Sequence, residues 1–327
     1  MEPNAGTVLV TGATGFVGSH LLEKLRARGE AVRCLVRPAT DTRRLPGGAE
    51  TAHADLATGQ GIDRALDGVD TVIHVAGVTK ALAASGYFAG NAAATESLAR
   101  ALAGGAIRLV YVSSLAAMGP SPDGRPLNED DTPHPVSSYG KSKLEGERIV
   151  RSFVADAVIV RPPVVYGPRD TDVFQILQAV ARGLVLEISG AERWFSAIYV
   201  EDLADGLCAA ARAPQAAGKA YFLAHRDPVT WRELGATAAQ IMGRRPRTLR
   251  VPVAAANCVA FFSEMWSQIS RNPAIISREK VAEARCRFWT CDPARAAADF
   301  GFEAPTPLAA GLAKTLAWYK EAGWLKY

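Results

Sequence analysis

Cysteine and histidine are scarce in this sequence, and those present are scattered. The 327 residues include five cysteines and five histidines. The cysteines stand at positions 34, 208, 258, 286 and 291, so none forms the C-x-x-C pair of many zinc and redox sites. The histidines supply no second half to such a site. We therefore expect no metal ion, and thiols that stay reduced in the cytoplasm.

An excess of charge of one sign is also missing. Lysine and arginine number 37 against 33 aspartates and glutamates, which gives a formal net charge of +4. Nucleic-acid-binding proteins usually carry a concentrated basic surface, so this balance argues against a nucleic-acid partner. The one basic cluster is Gly243–Arg250, with the sequence GRRPRTLR. It could grip a phosphate or an acidic partner, but we interpret it as solvated surface, which such runs usually are.

Long apolar runs are absent as well. The first six residues, MEPNAG, have neither the basic nor the apolar region of a secretory signal. The most apolar later segment, Val251–Phe262, is shorter than the roughly 20 residues that cross a bilayer, and Glu264 follows it. We expect a cytoplasmic protein with no transmembrane segment. The apolar segment fits a buried or substrate-facing helix, and contact with a membrane surface stays open.

Glycines mark a turn near the start of the chain. A buried strand is predicted over Thr7–Thr11 and an amphipathic helix over Phe16–Arg28. The spacing between them is G-x-x-G-x-x-G, one residue longer at the first gap than the usual dinucleotide-binding pattern. Glycines there allow a tight bend and let main-chain N–H groups at the helix start approach a pyrophosphate. The cofactor contacts expected here are Gly12, Thr14, Gly15, Phe16, Val17 and Gly18.

Strands and helices then alternate along the first half of the chain. Further strands are predicted over residues 31–36, 71–76, 109–113 and 157–161, and helices over residues 91–103 and 139–154. Such alternation is typical of a parallel sheet with helices on both faces. The sequence therefore predicts an α/β fold with a Rossmann-like, doubly wound parallel sheet.

The end of the second predicted strand bears on the choice of cofactor. Enzymes that use NAD commonly place an acidic residue there, whereas this chain has Val36 and Arg37, followed by Arg43 and Arg44. A guanidinium favours the 2′-phosphate of NADP, and no carboxylate is expected at that corner. We predict NADP, with Arg37 and Arg44 as contacts. If Arg37 merely stacks on the adenine, NAD is equally acceptable.

Two more segments are expected to contact the cofactor. Asp55 and Leu56 follow a short segment after the second strand, and the aspartate could bind the adenine amino group or be an ordinary loop residue. The next buried strand ends in the sequence HVAG, whose small residues would let the cofactor lie close to the main chain. The contacts expected there are Val75, Ala76 and Gly77.

Tyr139 and Lys143 form the candidate proton-transfer pair. Their spacing places both side chains on one face of a helix. A phenol with a pKa of about 10 is a poor base, and a nearby ammonium stabilises the phenolate. Lys143 can also hold the nicotinamide ribose. Ser114 ends a predicted strand and is expected to orient the substrate oxygen, although a serine pair there is more often a turn or a cap.

Together these motifs resemble the extended branch of the short-chain dehydrogenase/reductase superfamily, also called the NAD-dependent epimerase/dehydratase family. The matching segments are Thr11–Gly18, Ser114 before Gly119, Tyr139–Lys143, Arg161–Pro168 and Phe195–Leu203. The resemblance implies an NAD(P)-binding domain at residues 1–168. It implies a mainly substrate-binding domain at 169–327, with about 193–225 returning to the first domain.

The resemblance also implies a chemistry. Hydride would pass between the nicotinamide and a carbinol carbon while Tyr139 gives or takes the hydroxyl proton. Tyr139 and Lys143 would also touch the cofactor, together with Pro162 and Val164. That step is shared by dehydrogenases, epimerases and dehydratases of this branch, so it does not choose among them.

Two departures from the nucleotide-sugar members bear on the substrate. Val164 stands where those enzymes often carry an asparagine that holds the sugar nucleotide, and Leu115–Met118 replaces the acidic pair common in dehydratases. The patterns V-R-x-L-V-R and R-P-P-x-V-Y-G-P instead resemble the subgroup of dihydroflavonol reductase, cinnamoyl-CoA reductase and 3β-hydroxysteroid dehydrogenase. Members of that subgroup act on hydrophobic ketones and alcohols.

The leading hypothesis is an NADP-preferring oxidoreductase that interconverts a ketone and a secondary alcohol on an apolar small molecule of flavonoid, steroid or acyl type. A nucleotide-sugar epimerase or dehydratase with tightly bound NAD is the alternative. A non-catalytic cofactor-sensing protein is the third possibility, which the retained Tyr139 and Lys143 disfavour. The resemblance suggests a homodimer through helices at 92–103 and 140–153, although alanine-rich faces also pack within a monomer.

Later segments supply candidates for the substrate cleft. Phe174–Leu186 and Trp194–Phe195 could form its wall. Ala254–Trp266 could line an apolar pocket, but we favour a place in the core of the second domain. The charged residues Arg169, Asp170 and Asp172 could contact substrate, and we expect them to lie in solvent.

Overall fold

The computed structural model describes residues 6–45, 49–274 and 277–327, apart from the side chains of Arg44 and Gln268. The strands are β1 (Thr7–Thr11), β2 (Val32–Val36), β3 (Glu50–His53), β4 (Val69–His74), β5 (Arg108–Val112), β6 (Val158–Val160), β7 (Val164–Tyr166), β8 (Leu184–Ile188), β9 (Trp194–Phe195), β10 (Ala197–Tyr199), β11 (Ala220–Tyr221), β12 (Val229–Thr230), β13 (Arg247–Val251) and β14 (Phe288–Trp289). The α-helices are α1 (Phe16–Ala27), α2 (Ile62–Leu66), α3 (Ala84–Tyr87), α4 (Ala94–Leu102), α5 (Ser138–Phe153), α6 (Asp172–Ala181), α7 (Val200–Arg212), α8 (Trp231–Ile241), α9 (Val253–Ser270), α10 (Arg278–Arg285), α11 (Ala294–Phe300) and α12 (Leu308–Glu321).

Seven strands form one sheet in the order β11-β6-β5-β4-β1-β2-β3. All its neighbouring strands are parallel. The chain begins in the interior of the sheet and adds strands on both sides, which is the Rossmann-like arrangement, so the predicted fold class is confirmed. The carboxyl ends of parallel strands meet at one edge, and the loops after β1, β2, β4 and β5 therefore gather there.

Apolar side chains of the sheet alternate between its two faces. Val8 and Val10 of β1 face a core that includes residues of α1 and α7, whereas Leu9 faces the core formed with α4 and α5. Leu21 and Leu25 of α1 are buried one turn apart in the first core, as the predicted helical periodicity requires. Full burial of such a side chain stabilises the fold by about 2 kcal/mol. The two cores fix α1 and α5 on opposite sides of the sheet.

Most predicted element bounds agree with the structure to within two residues. The predicted strand Thr7–Thr11 coincides with β1, and the predicted helix at 139–154 corresponds to α5. The prediction of one regular helix over residues 91–103 is wrong at its start. Phe88–Ala93 forms a π-helical turn that continues into α4. Such turns are rare and frequently lie at functional sites.

The carboxyl-terminal half has a core of its own, separate from the two cores of the large sheet, and we call it the second core. Residues of α6, α8 and α12 surround it, together with strands of the small sheets β10-β7 and β12-β9-β14. Phe195 stacks on Trp231 with ring centroids 4.1 Å apart. Phe174 meets Tyr319 edge-on at 5.0 Å. Phe195 is therefore buried in this core and Phe174 packs against it, whereas Trp194 is exposed. Their place in the wall of a substrate cleft stays a prediction.

The segment from β10 to β11 lies against the first half of the molecule. The strand β11 pairs with β6 at the edge of the large sheet. The helix α7 lies beside α1, where Lys24 and Asp205 form an ion pair of 2.9 Å. This part of the chain therefore packs with the Rossmann-like sheet, while the division at residues 168 and 169 stays a prediction.

Helix α9 contradicts its predicted place. Phe261, Phe262, Met265 and Trp266 are 46, 65, 49 and 67% exposed, so they neither form a core nor line a closed pocket. Ala260 and Ser267 are the buried residues among the described side chains of this helix. An apolar helix can be anchored through a narrow side of small residues, and its periodicity then does not reveal burial. The cluster Gly243–Arg250 just before it is exposed except for the half-buried Pro246.

None of the described helices is long and apolar enough to cross a membrane. Across the same residues, no group of three or more histidine, cysteine, aspartate and glutamate side chains could hold a metal ion. Dimerisation and a cytoplasmic location stay predictions.

Candidate active site

The turn after β1 requires glycine at two of the predicted positions. Gly12 has a φ of +71°, and a Cβ there would lie 2.8 Å from the main-chain nitrogen of Ala76. A Cβ on Gly18 would overlap the main-chain oxygen of Gly12. The Gly15 N–H donates to that same oxygen at 2.9 Å. The close approach of these main chains is the cradle that a dinucleotide pyrophosphate needs.

The start of α1 offers main-chain donors. Gly15 is the N-cap, and Phe16, Val17 and Gly18 form the first turn. In the part of the chain that the structure describes, no side chain caps this turn and no acidic residue lies within it. The first N–H groups of a helix lack partners within the helix and carry its positive dipole end. The residues present therefore fit a bound phosphate at this end of α1.

An open cavity of about 300 Å³ lies beside this turn at the end of β2. Its lining residues are Thr14, Arg37, Ala39, Thr40 and Asp41. The side chain of Arg37 is exposed, as a 2′-phosphate contact requires. The expectation that this corner lacks a carboxylate is wrong, because Asp41 lies in it. Arg44 closes the short 3₁₀ turn that follows, and its side chain is outside the described part of the structure.

Asp41 is engaged by a neighbouring arginine. Arg43 donates to both carboxylate oxygens of Asp41, at 2.9 and 2.8 Å. The two charges compensate each other, and the exposed Arg37 adds a further positive charge to this corner. Sequence reasoning passed over Asp41 because it lies five residues beyond the strand end, where the loop folds back towards the glycine turn.

Asp55 and Leu56 occupy a loop after β3. Asp55 accepts a hydrogen bond from the Ala57 N–H at 2.8 Å, which is a local turn contact. Leu56 is 9% exposed and packs against the core on the α4 side of the sheet. The structure thus gives Asp55 a turn-forming contact, and its contact with adenine stays a prediction.

A buried polar chain supports the loop after β4. The Thr11 hydroxyl lies 2.7 Å from Nδ1 of His74, and Nε2 of His74 lies 3.0 Å from the Thr95 hydroxyl. The Ala76 N–H donates to Thr11 at 3.1 Å. Burial and then the charge of Lys143 lower the pKa of His74 to about 3, so this imidazole is neutral at physiological pH. The chain fixes the main chain at Val75 to Gly77, where cofactor contact is predicted.

Asn91 is a site residue that sequence reasoning missed. Its Oδ1 accepts from the Val78 N–H at 2.7 Å, and its Nδ2 donates to Val78 O and to the Ser142 hydroxyl, both at 2.9 Å. A Cβ on Gly77 would lie 2.9 Å from Asn91 Oδ1 and 3.6 Å from Lys143 Nζ. Asn91 therefore joins the loop after β4 to α5. The available signal was an asparagine in a predicted helix, because asparagine is disfavoured there unless its side chain has another hydrogen-bonding role.

Tyr139 lies in the first turn of α5, which Ser137 caps by accepting from the Gly140 N–H at 3.1 Å. The side chain of Ser114 lies beside the phenol and lowers its pKa. Burial has the larger effect and raises the pKa of Tyr139 to about 12. The ring of Tyr87 meets that of Tyr139 edge-on at 6.1 Å. The structure thus brings together two of the three predicted catalytic residues.

Lys143 lies one turn further along α5 and is buried. Its Nζ donates to the main-chain oxygen of Val112 at 2.7 Å and lies 4.7 Å from the centre of the Tyr111 ring. Burial lowers the pKa of Lys143 to about 8, against the opposing effect of Glu147. The described structure shows no hydrogen bond between Lys143 and Tyr139. The predicted electrostatic coupling of this pair therefore stays a prediction.

The two serines after β5 have different partners. Ser113 donates to the buried carboxylate of Glu147 at 2.6 Å. Arg161 donates to the same carboxylate through Nε at 2.9 Å and Nη2 at 2.6 Å. Ser114 accepts from the Ala116 N–H at 3.1 Å and faces Tyr139. Ser113 belongs to a buried ion pair below the site, which leaves Ser114 as the serine at the site.

A match to a protein-family model identifies the family of this chain. The model of the NAD dependent epimerase/dehydratase family matches residues 8–224. The chain belongs to this family. Its members and the relatives found are NAD(P)-dependent reductases and epimerases, so the chain is an enzyme of the extended short-chain dehydrogenase/reductase type.

Three relatives show the range of the family. A ceramide reductase of Caulobacter vibrioides is 35% identical over 98% of this chain and 96% of its own. A 4-hydroxy-2-methyl-3-oxo-4-farnesyl-3,4-dihydroquinoline-1-oxide ketoreductase of Stigmatella aurantiaca is 30% identical over 81% of this chain and 83% of its own. The structure of MoeE5 in complex with UDP-glucose and NAD has a TM-score of 0.76 at 27% identity, covering 97% of this chain and 99% of that one.

Pro162 and Val164, also expected at the cofactor, follow β6 in this family member. Pro162 is buried, and its main-chain oxygen accepts from the Leu115 N–H at 2.9 Å, which ties the two segments together. Val164 begins β7 and packs against the second core. Their contacts with the cofactor stay predictions.

The charged residues after Pro168 close one side of the site. Asp170 is 4% exposed and accepts from the N–H groups of Asp172 and Val173 at 2.9 and 2.8 Å, so the expectation that it lies in solvent is wrong. Burial raises the pKa of Asp170 to about 6. Arg169 donates to the Ser19 hydroxyl at 2.9 Å. These contacts hold the start of α6 against α1.

Helix α10 contributes an unexpected acidic group to the site. Glu283 lies beside Ser137, the cap of α5, and its charge raises the pKa of Tyr139. Glu279, one turn earlier, accepts from the Ser138 hydroxyl at 2.6 Å. Glu279 lies 141 residues beyond Ser138 in the chain, and Glu283 lies further still. No local spacing could therefore have revealed them.

Proposed function

We propose that this enzyme is an NADPH-preferring reductase that converts a ketone to a secondary alcohol on an apolar, lipid-like substrate. The observation that carries the proposal is the Tyr139 phenol, which lies beside Ser114 and whose pKa is raised by burial to about 12. A phenol with that pKa is protonated at neutral pH and can give its proton to a carbonyl oxygen as that oxygen gains charge.

The protein groups have separate tasks in this proposal. Ser114 orients the substrate oxygen beside Tyr139, and Tyr139 donates the proton. Lys143, whose pKa is about 8, is largely protonated at neutral pH and supplies positive charge near the phenol. The turn Gly12–Gly18 and Arg37 hold the dinucleotide. When bound, that cofactor supplies the hydride.

The substrate class is supported by residues and by relatives. Val164 lacks the amide with which nucleotide-sugar members often hold their substrate. Leu115 and Met118, which follow the site serine, are buried in an apolar cluster, so neither offers an acid or base for elimination. Two of the relatives described above carry the names of apolar molecules, the ceramide of the ceramide reductase and the farnesyl group of the ketoreductase substrate. A long-chain acylated amino ketone, the oxidised counterpart of a ceramide, is accordingly the first candidate substrate.

The test is consumption of NADPH and of NADH by the purified enzyme with three substrates. These are a long-chain acylated amino ketone in detergent micelles, a small cyclic ketone and UDP-glucose. We expect oxidation of NADPH with the lipid ketone and loss of at least about a hundredfold in turnover in Tyr139→Phe. Cofactor binding in that variant should be unchanged. Retained NAD that does not exchange, together with epimerisation of UDP-glucose, would replace the proposal with the epimerase alternative.

A further inference from the structure

One face of α9 presents large apolar side chains to the outside. Val259, Phe262, Trp266 and Ile269 are 53, 65, 67 and 73% exposed. Their spacing by three and four residues places them on one stripe of the helix, which we call the α9 stripe. The buried residues of the helix, Ala260 and Ser267, lie on its other side. The helix is thus anchored by small residues and displays its largest apolar residues.

The helix is fixed to the molecule by α10. Glu264 of α9 forms an ion pair of 2.7 Å with Arg278 of α10, and the Arg278 N–H donates to the same carboxylate at 2.7 Å. The guanidinium also lies 6.0 Å from the centre of the Phe261 ring. These contacts are on the flank of the helix and leave the α9 stripe uncovered. An exposed apolar patch of this kind marks an interaction surface.

Positive charge surrounds the stripe. The segment 242–271 contains five arginines and a single acidic residue, so its net charge of +4 equals that of the whole chain. Four of the arginines precede α9, and Arg271 follows its last residue. Arg250 lies 3.9 Å from Glu187. Among the described residues, Arg244, Arg245 and Arg247 form no ion pair, so their charge is available to a partner.

The small sheet before α9 adds apolar surface. Leu186 of β8 and Leu249 of β13 are 57 and 53% exposed, and they are directly paired in the parallel register. Residues paired across two strands share a face of the sheet. The chain passes from Leu249 to the start of α9 within four residues. Apolar and basic residues therefore alternate along one stretch of the surface.

We propose that the α9 stripe and the arginines flanking it dock the enzyme on an anionic lipid bilayer. Aromatic and aliphatic side chains of an interfacial helix enter the boundary between headgroups and acyl chains, and tryptophan favours that boundary. Arginines beside it bind lipid phosphates. The face meets both requirements, with Phe262 and Trp266 between flanking arginines.

A second copy of the chain is a poorer occupant. A twofold interface brings the same patch of each copy together. Here it would oppose two surfaces of net charge +4 with little acidic compensation. Anionic lipid supplies the complementary charge instead.

The surface adjoins the candidate active site through α10. This helix packs on α9 at Glu264 and on the first turn of α5 at Ser138, whose N–H and hydroxyl donate to Glu279. Docking would therefore place the first turn of α5, with Tyr139, near the lipid surface, where an apolar ketone dissolves. The docking itself does not depend on the proposed function, because it is measured without turnover.

The test is co-sedimentation of the full-length protein with phosphatidylcholine vesicles, with and without phosphatidylglycerol, at low and high salt. We expect binding that requires phosphatidylglycerol and falls with salt. In Arg244→Gln/Arg245→Gln/Arg247→Gln the partition coefficient should fall roughly fivefold for each arginine. In Phe262→Ser/Trp266→Ser it should fall at least about tenfold. Arg64→Gln and Leu82→Ser, exposed residues of the first half, are the matched controls.

Each other outcome overturns the proposal. Absence of binding to either vesicle, or binding that both sets of variants leave unchanged, would show that this surface does not meet lipid. A stable dimer that Phe262→Ser/Trp266→Ser dissociates, without vesicle binding, would assign the stripe to a second copy. Circular dichroism and thermal unfolding of the variants, all at exposed sites, verify that they fold.

Discussion

The ammonium of Lys143 donates a hydrogen bond of 2.7 Å to the main-chain oxygen of Val112, the last residue of β5. The bond ties α5 to the strand that leads into Ser113 and Ser114. It also holds a charge in a buried place, and that burial lowers the pKa of the amine to about 8 from its usual 10.5. The position of the amine thus has a consequence for stability as well as for catalysis.

We predict that the contribution of Lys143 to the free energy of unfolding becomes more favourable as the pH rises. Between about pH 8 and pH 10.5 the unfolded chain binds more protons than the folded one, so the free energy of unfolding increases with pH through this window. Below about pH 8 the amine is charged in both states and the penalty is constant. The gain across the window should be about 2–3 kcal/mol. Urea unfolding of the wild type and of Lys143→Met measures it.

The quantity to compare is the difference in the free energy of unfolding between the wild type and Lys143→Met at each pH. Other groups titrate in both, so their contributions cancel in the comparison. A difference in unfolding free energy that stays flat from neutral pH to pH 10.5 would contradict a buried amine with a lowered pKa.

We predict that Glu283→Gln lowers the pKa of Tyr139. The carboxylate disfavours the phenolate, so its removal stabilises the phenolate. In the reductive direction Tyr139 must be protonated, and activity is lost as pH rises through its pKa. The alkaline limb of the pH profile of kcat/KM should therefore move to lower pH in the variant.

Glu279→Gln is the matched control for this prediction. Glu279 lies one turn away on α10 and accepts from Ser138, and its charge has a smaller effect on Tyr139 than that of Glu283. The control should keep the wild-type alkaline limb. If the alkaline limb moves equally in both variants, α10 has shifted and the charge of Glu283 is not the cause.

We predict that Gly18→Ala abolishes dinucleotide binding. A Cβ at Gly18 would overlap the Gly12 oxygen, so the turn must open and the main-chain donors move away from the phosphate. We expect the Kd for NADPH to rise by at least about a hundredfold, which corresponds to loss of about 3 kcal/mol. Gly105→Ala is the control, because a Cβ there is no closer than 3.4 Å to another atom. Isothermal titration of both proteins provides the comparison, and retained affinity in Gly18→Ala would contradict the role of the turn.

The strand-turn-helix unit at Thr7–Ala27 was predictable because everything that determines it is local. The apolar run of β1, the glycine turn and the periodicity of α1 lie within about twenty residues, and each favours the same structure. The same holds for Tyr139 and Lys143, whose helical spacing fixes their relative position. Motifs of this kind can be recognised without knowledge of the rest of the fold.

Asn91, Glu283 and Asp41 could not be predicted in the same way. Asn91 acts through a loop that the sequence does not mark, and Glu283 reaches α5 from the far end of the chain. The prediction for helix α9 failed for another reason. An apolar composition indicates that a segment needs to be buried, but it does not reveal whether the protein itself or a partner buries it. Tertiary contacts decide these positions.

We predict that Glu147→Gln strongly destabilises the fold. Glu147 and Arg161 are 2 and 4% exposed and share two hydrogen bonds, so the variant leaves a buried guanidinium without its counter-charge. The free energy of unfolding should fall by about 3–5 kcal/mol. The double variant Glu147→Gln/Arg161→Met should regain part of this loss, since the uncompensated charge is gone. A double variant less stable than the sum of the two single changes would contradict this account.

We predict opposite effects of two neighbouring substitutions on cofactor preference. Arg37 and Asp41 line the same cavity beside the glycine turn. If Arg37 binds a 2′-phosphate, Arg37→Ser should reduce the preference for NADPH over NADH by about 10- to 100-fold, the value of a hydrogen bond between charged groups. Asp41→Asn should raise that preference, because it removes a negative charge from the corner while the amide can still cap the 3₁₀ turn. If Arg37 only stacks on adenine, Arg37→Ser weakens both cofactors equally and Asp41→Asn leaves their ratio unchanged. Since only a phosphate in this corner requires the two variants to move the NADPH to NADH ratio of kcat/KM in opposite directions, the pair decides the question without a bound structure.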